Sequence, residues 1–159
     1  MNTSAKIITK EQLNTKLPSW KKEGKVVFTN GCFDILHLGH VDYLEKARNL
    51  GQKLIVGLNT DASVQRLKGT DRPICDENSR AHVMASLEFV DAVILFDEET
   101  PFELISYIKP DILVKGNDYT IENIVGADVV LKNGGKVETV PLVNGYSTTN
   151  VINKIKQLK

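Results

Sequence analysis

A chain of 159 residues, 42% hydrophobic and 25% charged, has the length and apolar content of one globular domain with a sizeable core. Its 20 basic residues balance 20 acidic ones, which argues against a general nucleic-acid binder, since such proteins carry a basic excess. Cys32 and Cys75 make neither a disulfide framework nor a metal cluster, no apolar run approaches the roughly 18 residues of a membrane span, and residues 1–10 lack a signal-peptide core, so free thiols in a cytoplasmic protein are expected.

Residues 1–24 read as a leader helix: Thr9 is an N-cap with Gln12 three positions on, Leu13 and Leu17 recur at helical spacing, and Gly24 ends the segment. From Lys25 onward strands and helices alternate, and 25–159 reads as one domain. An apolar strand at 26–29 leads through Asn30 and Gly31 into a helix over 40–50, stopped by Gly51. A strand at 53–58 and a helix at 61–67 precede a polar loop that carries Lys68 and Arg72. Then come a helix over 78–87 containing Arg80, a strand at 92–96, and a helix at 101–108 with Pro101 in its first turn. The strand at 112–114 runs into Lys115-Gly116-Asn117-Asp118, followed by a helix at 127–133, a strand at 137–140 and a helix at 148–158 capped by Ser147. Short Val/Ile/Leu strands alternating with helices predict an α/β fold, a doubly wound, Rossmann-like parallel sheet in a single domain. Ligands of such sheets bind beyond the carboxyl ends of the strands, where strand order reverses. That directs attention to loops 30–40, 59–77, 115–126 and 141–147.

The common nucleotide motifs are missing. Gly135-Lys136 is followed by Val137 and lies between a helix and a strand, so it is not a phosphate-binding loop, and no G-x-G-x-x-G occurs. What stands out is His37-Leu38-Gly39-His40 at the start of a helix, where unpaired backbone amides and the helix dipole favour anions. Gly31 allows close backbone approach, and Gly39 keeps a side chain out of the space between the imidazoles.

Gly31-Cys32-Phe33-Asp34 with His37-Leu38-Gly39-His40, and Gly145-Tyr146-Ser147-Thr148-Thr149 more than 100 residues later, resemble the two motifs of the cytidylyltransferase-like nucleotidyltransferases. Asn59-Thr60-Asp61-Ala62-Ser63, Arg66-Leu67-Lys68-Gly69, Arg72-Pro73 and Leu113-Val114-Lys115-Gly116-Asn117-Asp118-Tyr119 are similar to the adenylyltransferase group of bacterial ADP-heptose synthesis. The likeness covers roughly residues 20–158. In that group the domain is often fused to a sugar kinase, for which this chain has no room, so a stand-alone form is expected.

The resemblance implies adenylyl transfer from ATP to D-glycero-D-manno-heptose 1-phosphate with release of pyrophosphate. The alternatives are cytidylyl transfer to glycerol 3-phosphate or a similar alcohol phosphate, or a nucleotide-binding module without turnover. It further implies Mg²⁺ brought by the phosphates, small-molecule substrates rather than nucleic acid or membrane, and a homo-oligomer. His37 and His40 would hold the triphosphate and stabilise the transition state, with Lys68 and Arg80 as further catalytic cations. Asn30, Gly31, Cys32, Phe33, Gly39, Lys115, Gly116, Gly145, Ser147 and Thr148 would bind the nucleotide, and Lys68, Arg72 and Asp118 the acceptor. Where the wider family has Thr or Ser, this chain has Cys32, a weaker donor. Arginine is absent at Leu142, as in the heptose group. Asp34 is expected to order its loop.

Overall fold

In a computed structural model, residues 2–158 are described; Met1 and Lys159, the outer ends of the two expected spans, lie outside them. A short 3-10 turn, Thr3–Lys6, precedes α1 (Lys10–Glu23). The elements that follow are β1 (Val26–Gly31), α2 (Leu38–Arg48), β2 (Lys53–Asn59), α3 (Asp61–Lys68), α4 (Glu77–Ser86), β3 (Ala92–Phe96), α5 (Phe102–Ile108) and β4 (Ile112–Gly116). After a second 3-10 turn, Ile121–Asn123, come α6 (Ala127–Lys132), β5 (Lys136–Val140) and α7 (Thr148–Gln157). The β1, β2 and β4 strands run one or two residues past their apolar cores, because parallel pairing carries Asn30, Gly31, Asn59, Lys115 and Gly116 into the ladder. Pro101 stands just before α5, at its cap, rather than in its first turn.

All five strands are parallel, in the order β3-β2-β1-β4-β5. The alternation of side chains along each strand feeds two separate cores. Val26, Phe28, Ile55, Ile94 and Leu113 face one layer with Leu13 of α1, Leu104 and Ile108 of α5 and Val130 of α6. Val27, Leu54, Val56, Val93 and Val114 face the other with Leu44 and Ala47 of α2 and Ala81 and Met84 of α4. Helices on both faces are what a doubly wound sheet requires. The capping box at Thr9 and Gln12 starts α1, Leu13 is fully buried, and Ile7 pairs with Val93 at the β3 edge.

Strand order reverses between β1 and β4. The β1–β2 ladder registers six pairs from Val26 to Gly31, whereas β1–β4 registers only Val27 with Ile112 and Phe28 with Leu113. Beyond those two pairs the strands part. The Val114 carbonyl lies 3.0 Å from both the Thr29 and the Tyr43 hydroxyl, which stand 2.7 Å apart; one hydroxyl donates to the other, and the other donates to the carbonyl. A buried carbonyl freed by the split is thereby satisfied, and the split opens a cleft above it.

Candidate active site

The cleft at this split has a volume of about 460 Å³. Its floor is the end of β1, Asn30-Gly31-Cys32, followed by Phe33 in the left-handed region at φ 43°. A Cβ at Gly31 would stand 2.9 Å from the Phe33 ring, so only glycine fits this tight return. Such a backbone conformation in a bulky residue marks a loop held by its surroundings. Asp34 holds it: its carboxylate, almost fully buried, accepts from the Ile74 and Cys75 amides and from Arg72 Nε at 2.7 Å. These bonds keep its carboxyl below the ordinary carboxylate range against the opposing effect of burial.

One wall is the start of α2. His37 occupies the N-cap position without capping by its side chain, which leaves the ring free. It stacks on His40 with centroids 3.8 Å apart and planes 18° from parallel, while the Phe33 ring meets His40 edge-on at 5.3 Å. A Cβ at Gly39 would lie 3.1 Å from His37 Nδ1 and 3.2 Å from Tyr146 Cβ, so a side chain there would press on His37 and Tyr146. Both Nδ1 atoms are buried without a hydrogen-bond partner. Burial, then His37 and Lys68, push the His40 pKa down to about 4, and burial lowers that of His37. With both values lowered, the two rings are neutral near pH 7.

This has a measurable consequence for stability. The unfolded chain takes up the His40 proton near pH 6.5 and the folded chain near 4, so between these values the unfolded state holds more protons and stability rises with pH. Thermal denaturation midpoints should fall as pH drops from about 6.5 toward 4, by the equivalent of about 2 kcal/mol after allowing for partial exposure. His40→Asn should flatten that slope; an unchanged slope would show that other groups set it.

The opposite wall is the start of α7, where Ser147 caps the helix by accepting from the Asn150 amide at 3.0 Å, and Thr148 donates to the Ile35 carbonyl at 3.4 Å. The N-termini of α2 and α7 thus line one cleft. At its rim, Lys115 Nζ bonds Asn30 Oδ1 across the split and lies 5.9 Å from the Tyr119 ring centroid. Burial lowers its pKa to about 8, partly opposed by Asp118. Lys68, Gly116 and Asp118 complete the lining.

Of the residues expected from sequence, all but two line the cleft. Gly145 sits in the turn before α7, at φ 85°, and shapes the loop. Arg80 is the substantive correction. Its side chain is fully buried: Nε donates to the Cys75 carbonyl, Nη1 to the Cys32 and Asn59 carbonyls, and Nη2 to Asp61 at 2.7 Å. Four of its five N–H donors tie together the β1 loop, the end of β2, the α3 start and the 69–76 loop, and its side chain is not part of the cleft lining. Arg72 is divided: Nε holds Asp34, while Nη2 is buried without a partner beside the cleft. The Cys32 thiol lies 3.9 Å from Asn59 Oδ1, and burial raises its pKa, so it stays protonated.

Sequence reasoning passed over Tyr43, Tyr119 and Tyr146, which also line the cleft. Tyr146 tilts toward His37 with ring centroids 6.4 Å apart. Its place between Gly145 and Ser147 was a usable signal; Tyr43, one turn after His40 on α2, was the other.

Among the described residues no three His, Cys, Asp or Glu side chains group as a metal site, and no helix is long and apolar enough to cross a membrane. The cytidylyltransferase-like family profile matches residues 28–154. The bifunctional protein HldE of Syntrophotalea carbinolica is 56% identical over 152 residues, 95% of this chain and 31% of that protein. HldE of Campylobacter jejuni subsp. doylei is 56% identical over 154 residues, 97% of this chain and 32% of that protein. The chain therefore spans 31–32% of the length of these relatives. The lipopolysaccharide core biosynthesis protein of Thermoplasma volcanium superposes with a TM-score of 0.61 at 35% identity, over 78% of this chain and 99% of that one. A pantoate-beta-alanine ligase from Francisella tularensis, complexed with beta-gamma ATP and beta-alanine, shares the fold at a TM-score of 0.62 and 16% identity, over 96% of this chain and 78% of that one.

Proposed function

Because the chain belongs to the cytidylyltransferase-like family of nucleotidyltransferases, we propose that it transfers the adenylyl group of ATP to D-glycero-D-manno-heptose 1-phosphate, forming ADP-heptose and pyrophosphate for the lipopolysaccharide core. The observation that carries the reading is the stacked His37–His40 pair, with two unpartnered nitrogens, facing the N-terminus of a second helix across one cleft. The HldE relatives and the lipopolysaccharide core protein favour the heptose acceptor over an alcohol phosphate.

An oxygen of the acceptor phosphate attacks the α-phosphorus. The bond from that phosphorus to the bridging oxygen breaks, and its electron pair leaves with pyrophosphate. A phosphate monoester has its second pKa near 6, so the nucleophile is already ionised and needs no base. The burden is to align two anions and to neutralise charge as it moves to the leaving group. The β- and γ-phosphates rest on the amides at the starts of α2 and α7, and His37 and His40 donate to oxygens around the α-phosphorus. An anion beside His40 opposes the burial that keeps it neutral, so nucleotide binding draws the pair toward a protonated form. Asp118, a carboxylate in the cleft lining, would help hold a Mg²⁺ that arrives with the nucleotide, and the ion, when bound, would supply charge neutralisation on the leaving group. Lys68, Arg72 and Lys115 draw the acceptor phosphate to the same point.

Pyrophosphate release with ATP or CTP against heptose 1-phosphate and glycerol 3-phosphate tests the assignment. Turnover with CTP and glycerol 3-phosphate, and none with ATP and heptose 1-phosphate, would overturn it. Lys115 adds a pH signature: it is cationic below its pKa of about 8, so kcat/KM for the acceptor phosphate should decline as pH rises through 8. In Lys115→Met that limb should vanish and the remaining activity should stay flat there.

A further inference from the structure

The 69–76 loop brings Arg72 to the cleft, and Lys68 stands at its start, yet none of its residues joins either core. What fixes the loop is polar. Among the described residues, every hydrogen bond between residues 70–75 and the chain outside the loop involves Asp34 or Arg80. Asp34 takes three donors: the Ile74 amide at 2.9 Å to both oxygens, the Cys75 amide at 2.8 Å and Arg72 Nε at 2.7 Å.

The same carboxylate belongs to the loop that forms the cleft floor. Asp34 follows Phe33 and its left-handed backbone, and stands two residues after Cys32 and three before His37. One side chain, 1% exposed, thus ties the floor to a segment 40 residues further on. It also sets the guanidinium of Arg72: Nε is held by the carboxylate, while Nη2 stays buried and unpartnered beside the cleft. A buried charged donor without an acceptor is costly, and an anion in the cleft would meet it. Two amides and a guanidinium neutralise Asp34 where it stands. Released from them, the carboxylate would repel phosphates entering the same space.

We propose that Asp34 is a positioning residue that couples the two substrates: it joins the loop under the nucleotide to the loop that carries Arg72, so that each substrate binds more tightly when the other is present. The proposal rests on the nucleotidyl-transfer reading above and adds a link between the two substrate loops. A nucleotide resting on Gly31, Cys32 and Phe33 steadies Asp34, and Asp34 steadies Arg72 for the acceptor phosphate. Linkage makes the effect reciprocal, so the acceptor tightens nucleotide binding by the same factor.

The test is the Kd of α,β-methylene ATP, which cannot release pyrophosphate, measured by calorimetry with and without saturating heptose 1-phosphate. In the wild-type protein the acceptor should lower that Kd by about 5-fold or more, the low end of the range for coupled sites. In Asp34→Asn, shown to be folded by circular dichroism, the ratio should fall to near one. A merely structural Asp34 gives another pattern: its loss weakens each substrate alone and leaves the ratio at the wild-type value, which would overturn the proposal. A wild-type ratio of one would overturn it as well. Should Asp34→Asn fail to fold, Arg72→Lys takes its place, because a single nitrogen can hold Asp34 or meet a phosphate but not both; its ratio should drop below twofold, and an unchanged ratio overturns the coupling. Should turnover require CTP and glycerol 3-phosphate, the activity reading fails, and the same ratios measured with α,β-methylene CTP and glycerol 3-phosphate still judge the coupling.

Discussion

His40→Ala should lower kcat/KM for ATP by about 100-fold or more, the scale for removing one preorganised donor from a developing charge, while leaving the fold intact. The ring sits on the first turn of α2, packed between His37 and Phe33, and its buried Nδ1 has no partner. Truncation therefore removes an unsatisfied polar group along with the ring's packing, so the stability cost is small beside the catalytic one. His37→Ala should act on the same step, because the stack positions both rings. The double variant should then be far less than multiplicative, as for residues that act as a unit. Single-turnover rates at saturating ATP make the comparison. Near-normal turnover of His40→Ala would remove the imidazoles from the transition state and leave the cleft as a binding site only.

Arg80→Met should unfold the protein easily rather than merely slow it. Four hydrogen bonds from one buried guanidinium join the β1 loop, the end of β2, the α3 start and the 69–76 loop. Removing it strands the Cys32, Asn59 and Cys75 carbonyls and the Asp61 carboxylate. Breaking a buried pair of this kind costs about 3–5 kcal/mol, or a drop of roughly 10 °C in Tm for a chain of this size. Activity should fall with it because the β1 loop carries Cys32 and Phe33. A direct contact to phosphate predicts something else, a stable variant with a raised KM for ATP, and equilibrium denaturation separates the two.

The alternation of short apolar strands and helices was legible because burial on both sheet faces leaves an unbroken Val/Ile/Leu signature, as in Lys53–Asn59 and Ala92–Phe96. Caps were legible for the same local reason: Thr9 with Gln12, and Ser147 with Asn150, satisfy amides within one turn of themselves. The His37-Leu38-Gly39-His40 segment and the Ser147-Thr148-Thr149 segment were both visible in one dimension, as was their likeness to a family.

What arginine does is a different matter. Arg72 in a polar loop and Arg80 on the helix after it both read as cations for phosphate, and the three-dimensional environment separates them. Arg80 turns inward onto three carbonyls and a carboxylate, while Arg72 keeps one nitrogen free beside the cleft. The same holds for the tyrosines: Tyr43 became part of the site because β1 and β4 separate after two residue pairs and a freed carbonyl had to be met.

By itself the sequence determined the α/β alternation, the starts of α2 and α7 and the two histidines at the first of them, since hydrophobic period, capping and motif spacing are properties of neighbours along the chain. Only the tertiary structure decided which cations face the cleft, that the imidazoles stack neutral, and that Asp34 holds the segment around Ile74. Those depend on burial and on distances between residues far apart in sequence, as between Lys115 and Asn30 or between Arg80 and Cys32.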